Sequence, residues 1–319
     1  MEMMKAALYD RYGAPDVLYA GSVRMPQVKM GEVLVRVHAA SVNSIDTIVR
    51  DGKLRLFTGR KFPRGTSIDF AGEVVSAGDN KSGFEVGERV WGTLPRGKWG
   101  SAAEFVSVPA KCIVRSPKGV DLTAAAALPV VGATALIALQ DVAKLQPGQS
   151  LLVRGASGGV GMCAVQLGHT MGARVTGTAS TANVAFVEEL GAERVSDYAT
   201  TTASDLGSFD VILDTVGSEL ASYRRLLAPG GCMIAVAIDG KAPVSALLYV
   251  AASIVFGKRR VRFFSAVFSP RILSDLATYV EAGAIRPIID TVYPLAEISA
   301  AHRAVEKGGR RGKQVVALV

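Results

Sequence analysis

The segment of this 319-residue chain with the clearest chemical meaning is a glycine-rich turn between an apolar run and a helical pattern. The turn follows residues 151–154 and consists of Gly155, Ala156, Ser157, Gly158, Gly159, Val160 and Gly161. Gly158 has no side chain to keep the backbone away from a pyrophosphate, and Gly161 lets the helix lie close to the strand. The free N–H groups and the positive dipole end of that helix favour phosphate. The turn therefore predicts a dinucleotide site formed by residues 156–160.

The residues that follow the second predicted strand bear on which dinucleotide is bound. An NAD-specific site places Asp or Glu about 20 residues after the glycine motif, where it accepts from the ribose 2′-hydroxyl. This chain has the neutral Ser180 there. Ser180, Thr181 and Asn183 carry donors for a 2′-phosphate, so the sequence favours NADPH over NADH. Alternatively, Ser180 and Thr181 only cap the next helix, and the two roles are compatible.

These motifs lie in residues 123–265, where short apolar runs alternate with helical patterns. The strand-like runs are 151–154, 174–178, 194–196, 210–214, 232–237 and 261–265, and the helical patterns between them include 160–171, 184–190 and 218–227. This alternation predicts an α/β fold with a doubly wound parallel sheet. Val216 and Ala237 stand at predicted strand ends, where they would face the cofactor crevice.

Residues 1–122 show a different pattern, in which short β-rich runs are separated by glycine-containing turns. The runs are 33–39, 70–77, 88–92 and 103–108. They predict a partly closed β-barrel or a sandwich. The tail has helical patterns at 270–282 and 296–307 and strand-like runs at 288–293 and 314–319. We expect a first domain of residues 1–122 with 266–319, and a cofactor domain of residues 123–265.

Composition excludes several other classes of protein. The net charge of +8 is unaccompanied by a zinc finger, a helix-turn-helix or an aromatic-basic RNA motif, so we expect no nucleic-acid partner. Three widely spaced cysteines argue against a disulfide framework and favour a reducing, cytoplasmic compartment. The longest apolar run, 244–257, is shorter than the ~20 residues that a membrane span needs. We expect it to be a buried or dimer-contact helix rather than a membrane contact.

Several short motifs, in order along nearly the whole chain, resemble those of a known family. They are the segments 41–46, 69–75, 86–91, 125–139, 283–287 and 311–316. Together they resemble zinc-free medium-chain dehydrogenases/reductases of the quinone-oxidoreductase type. Segments 60–63 and 244–257 are similar to the mitochondrial reticulon-interacting branch. The resemblance implies a GroES-like β-barrel catalytic domain beside a Rossmann dinucleotide-binding domain.

The resemblance also implies roles for individual residues. Asn43 matches a polar position near the nicotinamide and would donate to a substrate carbonyl oxygen, with a structural role in a turn as the alternative. Asp46 matches an aspartate that either orients a neighbouring donor or caps the following helix. Thr134 matches a cofactor-contacting position, with packing in a core helix as the alternative. Tyr198 matches a tyrosine on the adenosine side.

The resemblance implies roles for three further residues and bears on whether the site holds a metal. Phe268 and Ser269 lie in a loop whose backbone would hold the nicotinamide carboxamide, and Lys313 either reaches the cofactor phosphates or lies in solvent. The positions that bind the catalytic zinc in zinc alcohol dehydrogenases match Asn43, Ile68 and Val130. Because Ile and Val cannot ligate zinc, we expect no metal.

We therefore expect an NADPH-dependent oxidoreductase that passes a hydride to a small quinone or α,β-unsaturated carbonyl compound. The family's proton-donating tyrosine is missing, since Ile48 occupies its expected position. One alternative is therefore a low-activity NADPH-binding scaffold or redox sensor, and another is an enoyl-thioester reductase. The run 261–265 would form a sheet edge, and exposed edges are usually paired or covered. Together with the resemblance, this favours a homodimer.

Overall fold

A computed structural model describes residues 2–78, 82–237, 260–264 and 266–319. The chain forms two compact units, Met1–Ala133 with Val267–Val319, and Thr134–Ala266. The sequence-based assignment of a catalytic domain and a cofactor domain stays a prediction. The apolar run 244–257 and Ser265, the last residue of a predicted strand, lie outside the described residues.

The first unit contains two sheets. Its strands are β1 (Met3–Tyr9), β2 (Leu18–Arg24), β3 (Glu32–Val42), β4 (Arg64–Gly65), β5 (Asp69–Ala77), β6 (Arg89–Thr93), β7 (Phe105–Pro109), β8 (Ile113–Arg115), β15 (Ile289–Pro294) and β16 (Lys313–Ala317). The larger sheet has the order β15-β16-β3-β5-β6-β8, with β7 also paired to β3, and the smaller has the order β2-β1-β4. Alternating residues of β3, such as Val33, Val35 and Val37, are buried in the core.

The helices of the first unit connect or cover these strands. They are α1 (Ser44–Arg50), α2 (Arg55–Thr58), α3 (Leu122–Ala125), α4 (Pro129–Leu136, which crosses into the second unit), α8 (Pro270–Glu281) and α9 (Ile298–Lys307). The last strand, β16, pairs antiparallel with β3, so that Gln314 lies opposite Val42. This pairing brings the tail of the chain to the end of β3, directly before α1.

The second unit is built on a six-stranded sheet in which every recorded pair is parallel. Its strands are β9 (Ser150–Arg154), β10 (Arg174–Ala179), β11 (Arg194–Asp197), β12 (Phe209–Asp214), β13 (Leu227–Ala235) and β14 (Arg260–Phe263). Their order is β11-β10-β9-β12-β13-β14. The helices α5 (Gly159–Thr170), α6 (Val184–Glu189) and α7 (Leu220–Arg224) connect consecutive strands. The doubly wound parallel sheet predicted from the sequence is confirmed.

One helix and one strand of this sheet differ from the prediction. The helix expected at 218–227 is only α7, and β13 already begins at Leu227. The ladder pairs Leu227 with Phe209 and resumes at Cys232 with Val211. The Pro-Gly-Gly segment before Cys232 is therefore accommodated as an irregularity inside the strand, where the sequence alone indicated a terminator.

Helical structure continues beyond the motif segment 125–139. After α4 the chain forms a wider, π-helical segment, Ile137–Ala143, which ends at Lys144 in a left-handed conformation. Among the described residues, no helix combines the length and apolar character needed to cross a bilayer.

Candidate active site and cofactor site

The glycine-rich turn joins β9 to α5 with very little space. Gly155 has a φ of +69°, a left-handed conformation that favours glycine, and Gly158 is the N-cap of α5. A Cβ atom on Gly161 would lie 2.1 Å from the Gly155 carbonyl oxygen, so no larger residue fits. The first amides of an α-helix have no partner inside the helix. The turn thus fits the phosphates of a dinucleotide, as the sequence motif predicts.

Hydrogen bonds from neighbouring strands hold this turn in place. The Ala156 amide donates to the Thr178 carbonyl oxygen at 3.0 Å, and the Gly155 amide to Thr178 Oγ1 at 3.3 Å. Ser157 Oγ accepts from Asn183 Nδ2 at 3.2 Å. Asn183 is buried, and its role as a donor to a 2′-phosphate stays a prediction. The glycine-rich turn is therefore positioned by contacts within the protein.

A carboxylate lies beside the residues expected to meet the adenosine ribose. Asp197, the last residue of β11, pairs in register with Ala179 at the end of β10. Its Oδ2 accepts a hydrogen bond from Thr181 Oγ1. That bond and one from the Ala199 amide lower the pKa of Asp197, so its carboxylate is charged at neutral pH. Asp197 was not predicted from the sequence, because only Ser180, Thr181 and Asn183, which follow β10, were considered for this position.

Three other predicted residues of the second unit lie just beyond strand ends, whereas Thr134 lies within α4. The Tyr198 amide donates to the Ala179 carbonyl oxygen at 3.1 Å, and its side chain is exposed. Val216 follows β12 and is partly exposed. Ala237 lies two residues beyond β13, and Thr134 is the half-buried first residue of this unit.

A buried polar cluster surrounds Asn43 in the first unit. Asn43 lies between β3 and α1, and its Nδ2 donates to Asp69 Oδ1 at 3.0 Å. Its Oδ1 accepts from Lys313 Nζ at 2.7 Å, and the same ammonium donates to the Val42 carbonyl oxygen at 2.8 Å. These two contacts fix which way the amide points. One of the two Nδ2 hydrogens remains after the bond to Asp69.

Asp69 is held from several sides. Its Oδ1 also accepts from Ser41 Oγ at 2.8 Å, and its Oδ2 accepts from the Val130 amide at 3.3 Å. Burial raises the pKa of Asp69, while the charge on Lys313 acts in the opposite direction. The sequence analysis used Asp69 only as the start of a strand motif. Its place beside Asn43 follows from the antiparallel pairing of Ser41 with Asp69.

Asp46 caps the helix that follows Asn43. Its Oδ2 accepts from the Asn43 amide at 2.8 Å, which is the contact of a capping box. Burial raises the pKa of Asp46 to about 7, although the bond from the Asn43 amide lowers it. Of the two predicted roles for Asp46, the structure therefore contains the capping one.

The remaining predicted residues of this unit have defined places. Lys313 is only 4% exposed, so the expectation that it lies in solvent is wrong, and its contact with cofactor phosphates stays a prediction. Ser269 caps α8, since its Oγ accepts from the Ile272 amide at 3.4 Å. Phe268 precedes it and is half-buried.

Comparison with known proteins gives the family. A model for the alcohol dehydrogenase GroES-like domain matches residues 29–118, and one described as zinc-binding dehydrogenase matches residues 190–316. The human mitochondrial NAD(P)H oxidoreductase RTN4IP1 is 34% identical, over 99% of this chain and 90% of that protein. The chain belongs to the medium-chain dehydrogenase/reductase family. Within it, the chain is of the quinone-oxidoreductase-like type.

Two further proteins resemble this medium-chain reductase over nearly their full length. The chloroplast envelope quinone oxidoreductase homolog of Arabidopsis thaliana is 32% identical over 99% of this chain and 98% of that protein. The structure of the quinone oxidoreductase from Coxiella burnetii has a TM-score of 0.92 and 29% identity, with 100% of both chains covered. The locations in the relatives' names are theirs, and the cytoplasmic location of this medium-chain reductase stays a prediction.

Two of the three positions that match zinc ligands in zinc alcohol dehydrogenases, Ile68 and Val130, lie next to Asp69 in sequence or donate to its carboxylate. Ile68 directly precedes Asp69, and the Val130 amide donates to that carboxylate. Within residues 2–78, 82–237, 260–264 and 266–319, no group of three or more His, Cys, Asp or Glu side chains is placed to hold a metal ion.

Proposed function

We propose that this medium-chain reductase is an NADPH-dependent oxidoreductase that transfers a hydride to a quinone or to the β-carbon of an α,β-unsaturated carbonyl, without zinc. The observation that carries the proposal is the turn before α5, where the Gly155 carbonyl leaves space only for glycine at position 161. NADPH, when bound, supplies the hydride from its nicotinamide ring. The names of the relatives, which include NAD(P)H and quinone oxidoreductases, support the substrate class.

The roles that we propose for individual residues follow from the glycine-rich turn and from the polar cluster around Asn43. Amides at the start of α5 bind the pyrophosphate. The remaining Nδ2 hydrogen of Asn43 stabilises the negative charge that develops on the substrate oxygen. Lys313 and Asp69 are positioning residues, because they hold the two ends of the Asn43 amide. A proton from water or from a side chain near the substrate completes the reduction.

Turnover tests the reaction. Stopped-flow oxidation of NADPH across a panel of quinones and enones should show rapid hydride transfer to at least one compound. Asn43→Ala should lower kcat by roughly 100-fold, the usual effect of removing one oxyanion donor. Tight binding of NADPH with no turnover of any compound would instead favour the scaffold or sensor interpretation.

Two substitutions test the preference for NADPH. Ser180→Asp would place a carboxylate beside the 2′-phosphate and shift preference towards NADH. Asp197→Asn should raise affinity for NADPH by about two- to fivefold, with no similar gain for NADH, because it removes an exposed like charge. Fluorescence titration gives both dissociation constants without turnover. Equal affinity of the unmodified chain for the two dinucleotides would contradict the assignment.

Metal analysis tests the absence of zinc. We expect no stoichiometric zinc in the purified protein and no loss of activity with chelators, because two of the three matching positions have aliphatic side chains. One tightly bound zinc per chain would show that these positions were matched wrongly.

A further inference from the structure

The loop 53–61 of the first unit presents two large apolar side chains to solvent. It contains α2, in which Leu56 is 91% exposed and Phe57 is 88% exposed. Single exposed apolar residues are common on protein surfaces, but adjacent ones with almost their whole side chains in water form a patch. Leu56 and Phe57 have no role in the proposed reaction.

The polar contacts of the loop fix it with the apolar pair facing outwards. Tyr12 Oη lies 2.8 Å from Thr58 Oγ1 and donates to the Gly59 carbonyl oxygen. Arg64 Nη1 donates to Tyr12 Oη at 2.7 Å and to the Gly59 carbonyl oxygen at 3.1 Å, and its Nη2 donates to the Thr58 carbonyl oxygen. The C-terminal end of α2 is thus tied to the body of the unit. The exposure of Leu56 and Phe57 is a consequence of this anchoring.

Exposed basic residues lie close in sequence to the apolar pair. Arg55, Arg60 and Lys61 are exposed, and within the described chain none of them has a recorded ion pair or side-chain hydrogen bond. Lys53 is paired with Asp51 at 2.9 Å, so those two charges offset each other. The whole chain carries a net charge of +8, which adds a long-range attraction for anionic surfaces. Exposed apolar side chains with neighbouring cations are typical of segments that bind the interface of an anionic membrane.

We propose that the loop 53–61 docks on a phospholipid surface that contains anionic headgroups. Leu56 and Phe57 enter the headgroup region, while Arg55, Arg60 and Lys61 contact lipid phosphates. A second copy of the chain is a poorer partner, since a two-fold contact would place these cations against the same cations. This segment differs from the apolar run 244–257, and the proposal does not depend on the proposed reaction.

Vesicle flotation of the full chain tests the proposal. The unmodified protein should bind vesicles of phosphatidylcholine mixed with phosphatidylglycerol, should bind those of phosphatidylcholine alone far less, and should dissociate as salt rises. The double variant Leu56→Ser, Phe57→Ser should lower partitioning about tenfold or more. The triple variant Arg55→Gln, Arg60→Gln, Lys61→Gln should lower partitioning by roughly 100-fold, because each cation near an anionic surface contributes about fivefold.

Matched controls separate the loop from general charge and apolarity. The variant Met30→Ser, Val86→Ser removes two apolar side chains that are 86% and 72% exposed elsewhere. The variant Arg24→Gln, Lys29→Gln, Lys98→Gln removes the same charge from other exposed positions. Both controls should keep most of the binding. Equal losses in the loop variants and their controls would overturn the proposal, because the attraction would then be spread over the whole surface.

A gain-of-signal variant reports insertion directly. Phe57→Trp should show a blue-shifted indole emission when anionic vesicles are added, beyond any change in the parent protein, which contains Trp91 and Trp99. No shift despite vesicle binding would place the contact elsewhere and overturn the assignment. Failure of the unmodified chain to bind anionic vesicles would also overturn it, as would self-association that the loop variants abolish without any vesicle binding.

Discussion

At the scale of single residues, the candidate site depends on contacts between distant parts of the chain. The turn 155–161 could be predicted because its residues are consecutive. Asn43 could be singled out from its motif, but Lys313, which fixes the Asn43 amide, lies 270 residues later in the sequence. Asp197 escaped notice for a related reason, since its proximity to Thr181 depends on the pairing of β10 with β11. Residues of this kind can be assigned to the site only after the pairing of the strands is known.

Replacing Lys313 distinguishes its two assigned roles. In Lys313→Met, the Asn43 amide loses the partner that fixes its oxygen, so we expect kcat to fall by roughly 10–100-fold with the dissociation constant for NADPH unchanged. Lys307→Met, on an exposed position of α9, is the matched control and should resemble the parent. If instead NADPH binding weakens while kcat is kept, Lys313 contacts the cofactor phosphates, as the sequence analysis allowed.

At the scale of secondary-structure elements, α9 shows a consequence of burying a titratable group. His302 is fully buried on this helix, and its Nε2 lies 3.1 Å from Thr66 Oγ1. Burial lowers the pKa of His302 to about 3, and the nearby Arg50 charge acts in the same direction. The sequence predicted α9 from its periodicity but left His302 without a role. A helical pattern shows which face is buried and does not show what that face meets.

The stability of the protein should therefore depend on pH through His302. Its pKa in the folded state is below the usual 6.5, so below pH 6.5 only the unfolded chain takes up the proton. The free energy of unfolding should fall with acidification by up to about 1.4 kcal/mol per pH unit. Asp46 acts oppositely, because its raised pKa of about 7 makes ionisation costly in the folded state. The free-energy cost of burying the ionised Asp46 carboxylate therefore decreases as pH falls through 7.

Urea unfolding of the parent and of His302→Asn isolates the histidine contribution. The parent should lose more stability than the variant between pH 7 and about pH 5, since Asp46 contributes equally to both. Parallel stability curves for the two proteins over this range would contradict the neutral, buried imidazole.

At the scale of the whole molecule, assembly is the main property left to predict. In the second unit, β14 (Arg260–Phe263) stands at one edge of the parallel sheet, as expected for the sixth strand. Phe263 of this strand is 40% exposed. Exposed strand edges tend to pair with other chains or to be covered. We propose a homodimer in which this edge pairs across a two-fold axis.

Light scattering at micromolar concentration should give twice the chain mass of 33.4 kDa. Phe263→Lys places a charge on the proposed edge and should shift the equilibrium towards monomer. Val292→Lys is a matched control, because Val292 is similarly exposed on β15, the edge strand of a sheet in the first unit. A monomer mass for the unmodified protein would refute the dimer, and dissociation by both variants would place the interface elsewhere.

The pairing of β16 with β3 also means that β3 is synthesised long before its partner strand. Every residue of the second unit must leave the ribosome before Gln314 can reach Val42. At ~5–20 residues per second, translation of the chain from Val42 to Gln314 takes roughly 15–55 s. Throughout this interval the nascent β3 lacks its β16 neighbour, and the unpaired edge is open to wrong partners. Nascent chains of this reductase should therefore be most dependent on chaperones late in synthesis, after the glycine-rich turn has already been synthesised.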